Sequence, residues 1–155
     1  FGIKKPKSYR IAIENEEFIW LRKVSSVKEQ QFGIMFFESK YRDSNDLHID
    51  SVLKVRNRFT KKYIPGEIKN SYMKYSSAID PVIKKSYFNG HYSADIFGWW
   101  DVFGDYMGGP SHMKIVVDES KSRIIFVEGF LFYPNESKAE SMRELSILIN
   151  TLTIR

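Results

Sequence analysis

With 155 residues, 43% of them hydrophobic and 15% aromatic, the chain carries enough apolar surface for one folded domain with a substantial core. Its 24 Lys and Arg against 19 Asp and Glu leave a net charge of +5, but the basic residues fall in scattered pairs (Lys4-Lys5, Lys61-Lys62, Lys84-Lys85). That distribution reads as solubility charge rather than a nucleic-acid stripe. No run nears the ~18 apolar residues of a membrane span, and the absence of cysteine excludes disulfides, thiolate metal sites and cysteine nucleophiles.

The chain opens on Phe1-Gly2-Ile3 without a Met, so it is expected to be part of a longer protein whose targeting segment lies outside it. Tyr9 to Glu14 is a short β-type run. Phe18 to Val24 suits a strand or a brief helix, and Phe32 to Tyr41 is a strand. After the polar turn Arg42 to Asp46 the period changes. Val52, Val55, Phe59 and Tyr63 recur at three and four, and Pro65-Gly66 stops the run, which predicts an amphipathic helix from Asp46 to Tyr63.

Beyond the helix come strand-like segments divided by Asn89-Gly90, by Gly108-Gly109-Pro110 and by Asp118 to Lys121. Glycine tolerates positive φ and proline fixes its own, so Gly108, Gly109 and Pro110 are expected to form a structural turn between strands. The last two strands read as a hairpin. The second of them is apolar on both parities, with Ile124, Phe126, Phe130 and Phe132 on one and Ile125, Val127 and Leu131 on the other, and such a strand is covered on both faces. Ser137 and Glu140 have capping-box spacing, and Met142, Leu145, Leu148, Ile149 and Leu152 then line one face of a helix from Ser137 to Leu152. The expected fold is α+β: one domain over residues 1–155, with a mainly antiparallel sheet of five to seven strands covered by two helices.

The segments "FIWLRK", "SYM", "DYMGGP" and "VEGFLFYPNESKAESMRELSILINTL" resemble the C-terminal portion of domain of unknown function 4837, a family of Bacteroidetes envelope lipoproteins. The resemblance implies a lipid-anchored parent in the cell envelope, facing the periplasm or the cell surface, with membrane contact only through an anchor outside this chain. It implies no activity. The order of elements more distantly resembles the photosystem accessory protein PsbP and its Mog1 relatives, a likeness of architecture that does not establish function.

Chemistry-bearing residues are sparse. His48, His91 and His112 lie in unrelated segments without ligand spacing, so no metal site is expected. Neither a G-x-S-x-G elbow nor a phosphate loop occurs, and no cofactor is expected. The aromatic stretch Phe97 to His112 is the richest. If it is extended, Asp95, Phe97, Trp99, Asp101 and Phe103 share one parity, and Ile96, Trp100 and Val102 share the other. Trp100 is then a core residue. Phe97, Trp99, Asp101, Phe103, Asp105 and His112 form a candidate binding surface, because aromatic rings beside carboxylates suit peptides or sugars. Glu128 sits among Phe126 and Phe130 and needs a cationic partner, for which Arg22 is the candidate.

These features favour a non-catalytic module that binds a protein, peptide or glycan partner. One alternative is a hydrolase using Asp101, Asp105 and His112; the other is a weak nucleic-acid binder, although no nucleic-acid partner is expected.

Overall fold

A computed structural model describes residues 4–26 and 29–154. In chain order they form β1 (Arg10–Glu14), β2 (Phe18–Val24), β3 (Gln31–Lys40), α1 (Ile49–Tyr63), β4 (Tyr72–Tyr75), β5 (Val82–Phe88), β6 (His91–Phe103), β7 (Gly108–Asp118), β8 (Arg123–Phe132) and α2 (Ala139–Ile149). Every strand pairing among them is antiparallel. The strands make one eight-stranded sheet in the order β1-β2-β3-β8-β7-β6-β4, with β5 also on β6. The count exceeds the expected five to seven because the 13-residue β6 carries two partners along one edge, β5 opposite its first half and β4 opposite its end.

The doubly apolar strand β8 lies in the middle of the sheet, where both faces are covered. On one face Phe37 stacks between Phe59 of α1 and Phe126 of β8, each with a centroid separation of 4.6 Å. On the other face Leu145 and Ile149 of α2 join Ile34, Val116, Ile125, Val127 and Leu131 in a second apolar cluster. The two helices therefore take opposite faces. Gly129 permits the close approach of α2: a Cβ there would lie 3.1 Å from Cβ of Leu145 and 3.2 Å from Cδ1 of Ile149.

Three local expectations are corrected. The first helix begins at Ile49, because the Asp43 carboxylate accepts from the Asn45 amide and holds Ser44–Leu47 as a separate 3₁₀ turn. Ser137 does not cap α2: Lys138 occupies the N-cap position in a helical conformation, and no side chain caps that end. Gly108, Gly109 and Pro110 are not a turn but the first residues of β7. The chain reverses just before them, where Gly104 has φ of 86°. Gly109 is needed for a different reason, since a Cβ there would fall 1.8 Å from the Leu131 carbonyl oxygen.

Candidate binding site

Strand alternation divides the chemistry of the sheet between its faces. On the α1 face Glu128 is fully buried, and its partner is Arg56 of α1 rather than Arg22. Arg56 Nε and Nη2 donate to Oε2 and Oε1 of Glu128, each at 2.9 Å, and the Ser111 hydroxyl donates to Oε1 at 2.8 Å. Both charged side chains are 0% exposed, so the bidentate geometry answers the desolvation of each. Asn57 Oδ1 accepts from Arg56 Nη1 at 3.2 Å and also receives the Tyr75 amide at 2.8 Å, which ties the pair to β4.

On the α2 face His112 is buried between three elements. Its Nδ1 lies 2.7 Å from the Ser146 hydroxyl of α2, its Nε2 lies 2.7 Å from Oδ1 of Asp95, and its ring stacks on Phe97 at 4.3 Å. A neutral imidazole with its proton on Nε2 satisfies both bonds. Lys114 shares the Asp95 carboxylate, with Nζ 3.1 Å from Oδ2. Burial pushes the Asp95 carboxyl up, but hydrogen bonds from His112 and Lys114 outweigh it and hold the group below the ordinary carboxylate range. Serine, histidine and aspartate are the components of a hydrolytic relay. Here, however, Ser146 sits within α2, where backbone N–H groups are committed to helical bonds and are not free to bind an oxyanion. The cluster joins α2 to β6 and β7.

The candidate surface thus splits. Phe97 stacks on His112, which is bonded to α2, while Trp99, Asp101, Phe103 and Asp105 line an open groove around the β6–β7 turn with Tyr106, Met107 and Pro134. Phe103 and Tyr106 are exposed. Lys74 Nζ is 2.9 Å from Oδ1 of Asp101, an ion pair whose angle is poor for a hydrogen bond. Asp105 accepts from the Tyr106 amide at 2.7 Å. Asp101, Asp105 and His112 are not brought together. Trp100 points the other way: it is 3% exposed beside Ile96 and Val102, and its indole N–H donates to the Leu131 carbonyl at 3.1 Å.

Next to the groove lies a cavity of about 220 Å³ lined by Trp20, Arg22 and Gly33 of β2 and β3, by Ile64 to Glu67, and by Met73, Trp100, Val102, Met107, Phe130 and Phe132. Cavity and groove share Val102, Met107 and Phe132. An apolar cavity of ~150 Å³ accepts benzene, whereas pockets for whole small molecules run to ~300 Å³ and above. The space therefore matches a single apolar group in size. Sequence reasoning missed this wall. Its one legible signal was the alternation of Phe18, Trp20 and Arg22, which sets an arginine at the end of an otherwise apolar parity.

The other two histidines have local roles. His91 Nδ1 is 3.1 Å from the Val117 carbonyl, and His48 precedes α1 as its N-cap. Among the described residues no three His, Cys, Asp or Glu side chains cluster as metal ligands, and no helix is long and apolar enough to cross a membrane.

The family model described as Domain of unknown function (DUF4837) matches residues 1–151. The chain belongs to this family. A search of curated proteins finds no match to the DUF4837 chain. Among solved structures it is similar to PA94 of Pseudomonas aeruginosa, a protein of unknown function, with TM-score 0.52 and 10% identity over 93% of this chain and 87% of that one. It is also similar to LpqN, involved in cell envelope biogenesis of Mycobacterium tuberculosis, with TM-score 0.49 and 11% identity over 97% and 80% of the two chains. The human StarD13 lipid transfer and protein localization domain gives 0.44 and 11%, over 96% and 91%. At these identities the likeness to PA94 is one of fold alone, and the two lower scores add no functional argument.

Proposed function

We propose that this DUF4837 domain is a non-catalytic binding module that holds a peptide segment of a protein partner, with one apolar side chain of that segment in the cavity and the flanking chain along the groove. We propose further that its parent is a lipid-anchored envelope protein, as the family resemblance implies. The observation that carries the binding reading is the wall of Val102, Met107 and Phe132 common to the apolar cavity and the aromatic, carboxylate-bearing groove. Most of the cavity lining is apolar, so an apolar side chain replaces water there at little polar cost. The non-catalytic reading is supported by the separation of His112 from Asp101 and Asp105.

The test is a titration of the ¹⁵N-labelled domain with short soluble peptides bearing a single Phe or Leu, with matched Gly/Ser peptides, and with gluco-oligosaccharides. Peptides with the apolar residue are expected to shift the Gly104 to Gly108 amides and the Trp99 indole resonance. Shifts from the oligosaccharides alone, or from none of the ligands, would overturn the reading.

A further inference from the structure

Arg22 stands at the edge of the cavity without a carboxylate. Its Nη2 donates to Oε1 of Gln31 at 2.9 Å, its guanidinium lies 5.1 Å from the Trp20 ring centroid, and no acidic side chain among the described residues pairs with it. Glu67 also borders the cavity but is exposed and makes no ion pair with Arg22. Beside Arg22, the indole N–H of Trp20 is buried and has no acceptor among the described residues. A guanidinium without a carboxylate and an indole N–H without an acceptor thus stand at the β2 side of the cavity. A buried donor left unbonded is unfavourable, and a guanidinium is shaped to receive two oxygens of one carboxylate.

We propose that the inserted residue is the C-terminal residue of the partner peptide: its apolar side chain fills the cavity, and its α-carboxylate is received by Arg22 with Trp20 Nε1 as a second donor. The proposal rests on the reading of cavity and groove as one site. Arg22 and Trp20 come from β2, three strands from β7 in the sheet order, so the carboxylate end lies on the far side of the cavity from the groove. A peptide entering along the groove and ending in the cavity uses both. A free apolar acid would leave the groove empty, which is why the peptide source is favoured.

The experiment measures Kd for four probes: the hexapeptide GSGSLF with a free C-terminus, the same peptide amidated, the same sequence extended by Gly-Ser beyond Phe, and 4-phenylbutyrate. Each is titrated into the wild-type domain, Arg22→Gln and Arg22→Lys, with the Trp20 indole resonance followed in parallel. The free-acid peptide is expected to bind about tenfold or more tightly than the amide, as a charge-assisted hydrogen bond provides. Arg22→Gln should erase that difference, and Arg22→Lys should keep part of it. The Trp20 resonance should move further with the acid than with the amide. Equal binding of acid, amide and extended peptide overturns the terminal-carboxylate proposal while leaving peptide binding intact. A difference that survives in Arg22→Gln, or 4-phenylbutyrate binding as tightly as the acid peptide, overturns it as well. Absence of binding by every peptide overturns this proposal and the binding reading together.

Discussion

Arg56 and Glu128, 72 residues apart in the chain, face each other as a fully buried bidentate ion pair that joins α1 to the central strand β8. Removing one member leaves a buried charge without its counterpart. Arg56→Met and Glu128→Leu should therefore each cost ~3–5 kcal/mol, whereas replacing both with apolar residues should recover much of the loss. A double-mutant cycle from urea melts measures the coupling. Strictly additive losses would contradict the account.

Gly109 and Gly90 should respond differently to alanine. At Gly109 the new Cβ would meet the Leu131 carbonyl at 1.8 Å, so strands β7 and β8 would have to separate locally. At Gly90 nothing lies within 4 Å, and the cost is that of φ at 81°, about 1–2 kcal/mol. Thermal melts should rank Gly109→Ala as the more damaging; the reverse order would place the constraint in the turn.

Trp99 and Trp100 provide the next contrast. Trp100→Ala removes a buried ring and its bond to the Leu131 carbonyl, and ~3–5 kcal/mol should be lost. Trp99 lines the groove, so Trp99→Ala should change the melting temperature little and weaken peptide binding. Equal and severe destabilisation by both would make the stretch wholly structural.

Much of this arrangement was legible because strand alternation has a period of two. The opposite facing of Trp99 and Trp100 follows from it, and so does the central place of a strand apolar on both parities. Long-range partners were not legible: Arg56 lies on α1 with the apolar residues Val52 and Phe59, and nothing local marks it as the counterion of Glu128. The sequence Gly108-Gly109-Pro110 has the composition of a turn, but the demand on Gly109 comes from a carbonyl on β8, and no local rule reports such an approach. The cavity wall was missed for the same reason, since Trp20, Met73 and Phe130 are distant in sequence and adjacent only after the sheet forms.

Asp95 supplies a pH prediction. Its carboxyl titrates below the ordinary value in the folded protein, so its contribution is present above the unfolded carboxylate pKa of about 4 and is lost as pH falls through the lower folded value. Asp95→Asn should reduce the steepness of acid destabilisation below about pH 4 relative to wild type. Urea midpoints collected across that range test it, and an unchanged slope would mean that the His112 and Lys114 contacts do not favour the ionised form.

Met107 borders both the cavity and the groove, so its enlargement tests the central claim most directly. Calorimetric titration of the GSGSLF peptide into the wild-type domain and into Met107→Trp, with melting temperatures measured alongside, compares the shared wall as it stands with an enlarged one. The account predicts at least a roughly tenfold rise in Kd for the variant, as loss of a central apolar anchor produces, with the fold retained. Unchanged affinity in a folded Met107→Trp domain would show that the peptide binds elsewhere.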